Sequence, residues 1–324
     1  MTQKQHTTTV VVTGAAGFVG SHTVDALLNA GHRVIGVDNF SSGHRRNLAS
    51  AEQHPGFQLV EQDVLEDGAL ASILAAEGER GAVGAIIHLA ALVSVTAAEE
   101  DPTLNFRLNV AATQVVAEAA RLRGVPRVVF ASSAAVYGEP SEMPISEAIE
   151  LQPIGQYGCA KRLSEQLLFQ YAKSYGVQAV CLRYFNIYGP RQDPSSPYSG
   201  VISIFTDRFQ KGKEVTVFGD GQQTRDFVHV TDVAQANAQM ATVTEAASGA
   251  YNVCTGQACS LLDLIEALKE CYPSVPELRF EAPRSGDIIH SLGCPNQLQK
   301  AIGFQAKMAF CEGIQALVRS QEPA

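Results

Sequence analysis

The chain has 324 residues, enough for one large or two moderate hydrophobic cores, and its 46% apolar and 18% charged composition is that of a globular protein. Asp and Glu outnumber Lys and Arg by 33 to 24, a net charge of −9 with no basic run to offset it, which excludes a nucleic-acid surface. Seven cysteines without a C-x-x-C pair indicate neither a disulfide framework nor a zinc site, so no metal is expected, and no apolar run reaches the ~18 residues of a membrane span. The polar Met1–Thr9 stretch reads as no signal peptide, and a reduced, cytoplasmic enzyme is the expectation.

Thr8–Val12 is a β-branched run, followed by Thr13-Gly14-Ala15-Ala16-Gly17-Phe18-Val19-Gly20 and a helical pattern through Ala30, with Val24, Leu27 and Leu28 on its apolar face. Strand, glycine-rich turn and helix form the context of a dinucleotide fingerprint. Gly14 allows the tight turn, Gly17 the close approach of backbone to a pyrophosphate, and Gly20 the close packing of helix on strand. The next strand, His32–Asp38, ends in an acid 18 residues after Gly20. A carboxylate there accepts both ribose hydroxyls of an adenosine and repels a 2′-phosphate, which favours NAD over NADP. Arg45 and Arg46 follow closely and are assigned to a solvated loop.

Three more strand–helix alternations are expected, with strands at Phe57–Glu61, Gly84–Leu89 and Arg127–Ala131, and one long amphipathic helix over Glu99–Arg123. Such a series predicts an α/β fold with a doubly wound parallel sheet, whose ligands bind beyond the carboxyl ends of the strands. The places to look are therefore Gly14–Gly20, Asp38, Asp63-Val64, Leu89–Ala91 and Ser132-Ser133. Ala90 and Ala91 are informative by smallness, because a flat cofactor needs a wall without bulk.

Tyr157 and Lys161 stand four residues apart in a helix over Gly155–Tyr175, so their side chains share one face. A free tyrosine ionises near pH ~10, and a tyrosine base at pH 7 needs about 4 kcal/mol of help. One ammonium at ~4 Å supplies about that much at a surface-like dielectric. Ser133, at the end of a central strand facing this helix, joins them as a catalytic candidate. Cys159, between the two, reads as a small packed side chain. A sixth strand, Gln178–Leu182, closes this part. The rhythm then changes: helix Val201–Lys211, strand Glu214–Phe218, the Gly219–Gln223 turn, Arg225–Val230, helix Thr231–Thr242, and a strand Ala250–Cys254 able to rejoin the sheet. Ser260–Cys271, Leu278–Glu281, Asn296–Ala301 and Phe310–Arg319 complete a smaller lobe. The expected division is a Rossmann-type cofactor domain over 1–185, with 226–254 returning to it, and a mixed α/β substrate-binding lobe over 186–225 and 255–324.

With these residues in hand the chain resembles the extended short-chain dehydrogenase/reductase family, in its nucleotide-sugar 4-epimerase branch. The resemblance covers nearly the whole chain. It rests on Gly14/Gly17/Gly20, Asp38–Gly43, His88–Ala91, Ser132–Gly138, Tyr157-x-x-x-Lys161, Arg183–Asn186, Gly219–Gly221 with Arg225–Val230, and Pro283–Asp287. It implies NAD across the glycine loop, with the amides of Phe18 and Val19 on the pyrophosphate, Asp38, Asn39, Ser42 and Gly43 around the adenosine ribose, and Asp63 and Val64 at the adenine. Leu89, Ala90, Ala91, Asn109, Ser132 and Tyr184 would line the rest of the cofactor site, and Lys161 would bind the nicotinamide ribose. Tyr157 would be the base and Ser133 its bridge to the sugar O4. Asn186, Val201, Val217, Arg225 and Arg284 would meet the UDP-sugar, the two arginines suiting a fork onto phosphate.

Dehydratases of this family carry an acid pair just after the serine, where this chain has Ala134 and Ala135, and methyl groups serve neither as acid nor base. Elimination and decarboxylation are thereby disfavoured. Small residues at Ser94 and at Ser291, seven after Arg284, imply a roomy sugar pocket and hence UDP-GlcNAc/UDP-GalNAc, with the plain hexoses as further substrates. A UDP-glucuronate 4-epimerase is the alternative substrate reading, and a non-catalytic NAD(P) sensor of the same fold the alternative class. Apolar residues on more than one face of 99–123 and 155–175 (Leu104, Leu108, Val115, Val116; Leu163, Leu167, Leu168, Phe169) imply a homodimer through these helices.

Overall fold

The computed structural model of the chain describes residues 7–78, 81–193, 200–243, 246–283 and 289–321. In order, the first half comprises β1 (Thr9–Thr13), α1 (Phe18–Asn29), β2 (Arg33–Asp38), β3 (Phe57–Glu61), α2 (Ala69–Gly78), β4 (Val83–His88), the short helices α3 (Val95–Glu100) and α4 (Pro102–Asn105), a π-helical stretch Phe106–Ala111, α5 (Ala112–Arg123), β5 (Arg127–Ser133), α6 (Gly155–Tyr175) and β6 (Gln178–Tyr184). There follow β7 (Asn186–Tyr188), α7 (Val201–Gln210), β8 (Val215–Phe218), β9 (Thr224–Arg225), β10 (Phe227–His229), α8 (Val230–Thr242), β11 (Gly249–Val253), β12 (Cys259–Ser260), α9 (Leu261–Cys271), β13 (Leu278–Glu281), α10 (Asn296–Ile302) and α11 (Phe310–Gln321).

Among the described residues seven strands form one sheet in the order β3-β2-β1-β4-β5-β6-β11, every neighbouring pair parallel. Its central strands are consecutive apolar residues, Val10–Val12 in β1 and Ala85–Ile87 in β4, all fully buried, because helices cover both faces. Each such Val or Ile contributes roughly 1.5–3 kcal/mol by leaving water. One face packs against α1 and α8 through Val24, Leu27, Val233 and Met240. The other packs against α2, α5 and α6 through Leu70, Leu74, Val116 and Leu168. The strand order reverses between β1 and β4, so the loops after these strands leave in opposite directions and open a crevice at their carboxyl ends. A separate apolar cluster joins α7, β8, α9 and α11, with Phe205, Val217, Leu264 and Ile314 at its centre.

The single helix expected over 99–123 is corrected. Glu99 and Glu100 close α3. Asp101 then caps a fresh start, accepting a hydrogen bond from the Leu104 amide at 2.9 Å, with Pro102 in the first helical position. Pro has no N–H to give to the preceding turn, so it begins a helix more readily than it continues one. The π-helical turn beyond it carries Asn109; such turns recur at functional sites.

Candidate active site

A cavity of about 1330 Å³ runs from the glycine loop, past the ends of β4, β5 and β6, to α7 and β8. Its floor is the β1–α1 turn. Gly14 has φ +69°, and a Cβ there would lie 2.7 Å from the Ala90 nitrogen; on Gly20 it would lie 1.9 Å from the Gly14 carbonyl oxygen. Both positions therefore admit only glycine. No side chain caps α1, so its N-terminus, with Phe18 and Val19, faces the cavity as an anion site. Asp38 stands at the end of β2, one carboxylate oxygen accepting from the Ala16 amide and the other from Phe40, each at 2.8 Å. Asn39 donates to Asp63 at 3.1 Å, and Ser42, Gly43, Val64, Leu89, Ala90 and Ala91 line the same trough. Thr13 fixes the two loops together, paired with His88 at 2.8 Å and accepting from the Leu89 and Ala90 amides at 3.3 Å. An anion-binding helix end, a strand-end acid and a wall of small residues fit an adenine dinucleotide.

Tyr157, Lys161 and Ser133 meet deeper in the cavity. Glu99 on α3 supplies the cap that α6 lacks, accepting from the Gln156 amide, and so fixes the turn that presents Tyr157. Gly158 brings α6 against the turn after β5; a Cβ would lie 2.7 Å from the Ala135 carbonyl oxygen. Lys161 is 1% exposed. Its Nζ donates to the Ala131 carbonyl at 2.8 Å and lies 4.9 Å from the Phe130 ring centroid and 5.7 Å from that of Tyr157. Burial pushes Lys161 down to about 7, against the charge of Glu165, which holds it up. Burial pushes the Tyr157 phenol up to about 12, against a hydrogen bond from Ser133. Burial of the phenol acts against the expected acidity, with the Ser133 hydroxyl opposing it, while the Lys161 Nζ gives one of its donors to Ala131.

Several expected contacts lie elsewhere. Val217 is fully buried, and its neighbours Thr216 and Phe218 line the cavity instead, because successive strand residues face opposite sides. Ser94 is 2% exposed and caps α3, accepting from the Ala97 amide, while Val93 takes the cavity side. Asn109 lies behind the wall, donating to Leu92 and Asn105. Ser291 donates its amide to the Thr224 carbonyl and is not a lining residue. Ser132 and Tyr184 do line the cavity, their hydroxyls turned to Glu165 at 2.5 Å and Asn237 at 2.6 Å. Asn186, Val201 and Arg225 lie on the far side, with Asn186 tied to the Asp226 carbonyl. Arg284 lies outside the described residues. Sequence reasoning missed Gln62, Arg208 and Gln223, and for Thr216 and Phe218 the alternation along β8 was the available signal.

Residues 10–254 match the family described as NAD dependent epimerase/dehydratase family. A UDP-glucose 4-epimerase of Mycolicibacterium smegmatis is 38% identical over 305 residues, covering 94% of this chain and 95% of that one. The structure of a Thermus thermophilus UDP-glucose 4-epimerase in complex with NAD is similar with a TM-score of 0.84 at 37% identity, covering 96% and 98% of the two chains. That of a UDP-N-acetylglucosamine 4-epimerase from Methanobrevibacter ruminantium, in complex with UDP-N-acetylmuramic acid, gives 0.90 at 35% identity over 97% and 98%. The chain belongs to the NAD dependent epimerase/dehydratase family, and NAD is its cofactor. Among the described residues no helix is long and apolar enough to cross a membrane.

Proposed function

We propose that this chain is an NAD-dependent epimerase that inverts C4 of a UDP-sugar through a transient 4-keto sugar. By the resemblance the favoured pair is UDP-GlcNAc and UDP-GalNAc, with UDP-glucose and UDP-galactose as further substrates, although Ser94 and Ser291, the small residues behind that preference, do not line the cavity. The observation that carries the reading is the meeting of Tyr157, Ser133 and Lys161 in one cavity with the glycine loop and Asp38, where Ala134 and Ala135 leave no acid for elimination. The 4-epimerase names of the similar proteins support the same class.

NAD held across the glycine loop supplies a hydride acceptor that is regenerated in each turnover. Asp38 holds the adenosine ribose and Lys161 the nicotinamide ribose, with the Phe18 and Val19 amides on the pyrophosphate. Tyr157 takes the proton from the sugar O4 and later returns it, and Ser133 bridges the two oxygens. Asn186, Arg225 and Arg284 hold the diphosphate, so the sugar turns about its phosphate bond while its anchor stays fixed. The lobe of 186–225 and 255–324 carries this anchor, and 1–185 with 226–254 carries the cofactor.

A second copy covers the exposed apolar residues Leu104, Phe106 and Leu163 on α4, its π-helical continuation and α6. A dimer by light scattering at micromolar concentration is expected, and a monomer removes it. The catalytic reading is tested by incubating the purified protein, without added NAD, with UDP-GlcNAc, UDP-glucose and UDP-glucuronate separately. NMR then reads the configuration at C4. Inversion of UDP-GlcNAc is expected; inversion of UDP-glucuronate alone moves the substrate assignment, and no inversion of any sugar overturns it.

A further inference from the structure

Three side chains of α6, each one turn after the last, clasp three consecutive residues at the carboxyl end of β5. The Tyr157 phenol lies beside the Ser133 hydroxyl, Lys161 donates to the Ala131 carbonyl, and Glu165 accepts from the Ser132 hydroxyl at 2.5 Å. The spacing of four places all three on one helical face. Glu165 is 1% exposed, and both its oxygens are also held by Arg183, at 2.9 and 2.8 Å. A buried carboxylate is costly unless it is paired in this way. The remaining Arg183 nitrogen, Nη1, donates to the Tyr137 hydroxyl at 3.0 Å, which donates to Asn252 at 2.6 Å, and Asn252 donates to the Ile145 carbonyl at 2.9 Å. Glu165 is not a lining residue of the cavity.

We propose that Glu165 is a positioning residue for the site: through Ser132 it fixes the strand end that presents Ser133, and it is the counter-charge to Lys161 one turn away. The inference rests on Tyr157, Ser133 and Lys161 acting as described under Proposed function. The groups facing Lys161 or Glu165 are Tyr157 on α6, His88 on β4, Cys181 and Arg183 on β6, and Tyr137 after β5, while Tyr184 on β6 faces Tyr157. Burial drives His88 down to about 3 and Tyr157 and Tyr137 up to about 12, and raises Cys181 and Tyr184 as well. Arg183 keeps its charge beside Glu165. In the NAD-free protein, titration near neutrality in this cluster therefore belongs to Lys161, and the Glu165 charge favours its ammonium. NAD lowers Tyr157, which as the base sets the acid limb, and leaves the alkaline limb to Lys161. Without that charge the ammonium is lost at lower pH.

The test measures kcat and kcat/KM against pH with UDP-GlcNAc for the wild type, Glu165→Gln, Glu165→Asp, Ser132→Ala and Tyr157→Phe, using the holoenzyme as purified. NAD retained after gel filtration and thermal unfolding are followed in parallel. Glu165→Gln is expected to move the alkaline limb toward acid by about one pH unit and to lose NAD sooner at pH 8 than the wild type. Glu165→Asp, which keeps the charge with a shorter reach, restores the limb but lowers kcat. Ser132→Ala lowers kcat without moving the limb. A wild-type limb and NAD retention in folded Glu165→Gln overturn the inference. If Glu165→Gln does not fold, wild-type kcat in both Glu165→Asp and Ser132→Ala overturns it. Turnover surviving in Tyr157→Phe instead overturns the proposed function, so the two failures are read apart.

Discussion

Glu99 reaches from α3 to the first turn of α6, its Oε1 accepting the Gln156 amide proton at 2.6 Å, next to the residue that carries the phenol of the site. From the adjoining helix Asn105 donates to the Gln156 carbonyl at 3.0 Å, so two side chains hold the amide and the carbonyl of one residue. An anion at a helix N-terminus meets both the unpaired amides and the positive end of the dipole.

Replacing Glu99 by Ala is expected to cost about 1 kcal/mol of stability, or ~2 °C in the unfolding midpoint. Because Tyr157 then sits on a frayed turn, kcat should fall more than KM rises. Calorimetry and steady-state kinetics on the same preparation check both.

At Gly158 helix α6 packs closely on the Ala134–Tyr137 turn, where an added Cβ would lie 2.7 Å from the Ala135 carbonyl oxygen. Gly158→Ala places a methyl group against the Ala135 carbonyl and must push the helix off β5. A displacement of ~1 Å at a reacting group costs up to about 100-fold in rate. A loss of that order in kcat is expected while the circular dichroism of the fold persists, because the sheet itself is untouched.

Tyr157 in the NAD-free protein should titrate near 12, read as the phenolate absorbance of wild type minus Tyr157→Phe. The sign follows from linkage. Between pH 10 and 12 the folded state keeps a proton that the unfolded chain has released, so this phenol's contribution to stability falls as pH rises through that window. With NAD retained, the positive nicotinamide should lower the titration, and stripping NAD should raise it again.

Val217→Ala should lower stability by about 2 kcal/mol through the cavity it leaves, with KM for the UDP-sugar unchanged, because the side chain faces the apolar cluster of α7 and α9. Thr216→Ala, one residue away on the cavity side, should do the reverse. Denaturant unfolding and KM measured on both variants separate the two faces of β8.

The first half of the fold was legible because its signals are local. Gly155–Tyr175 is a helix over those bounds, and Gly14 and Asp38 stand at the ends of β1 and β2, with Gly20 in the first turn of α1, where a fingerprint of short-range spacing puts them. What the sequence hid is orientation. Choosing Val217 over Thr216 or Phe218 is a one-residue error that turns a side chain to the other face of a strand, and nothing in V-T-V-F says which face is covered. Ser94 and Asn109 were placed by resemblance, yet each is consumed locally, one as a cap and the other in bonds to Leu92 and Asn105. The sequence offers two cationic causes for an acidic Tyr157, the Lys161 ammonium and an oxidised nicotinamide, whereas burial, which no spacing reveals, acts the other way. Glu165 was within reach: Tyr157, Lys161 and Glu165 form one run at spacing four.

The most direct test of the account runs the reaction with UDP-GlcNAc in deuterated water and reads C4 of the product by NMR. A hydride removed and returned inside the site, with Tyr157 moving only the O4 proton, gives product inverted at C4 that still carries the original hydrogen there. Deuterium at C4, or a product formed by loss of water, would contradict it.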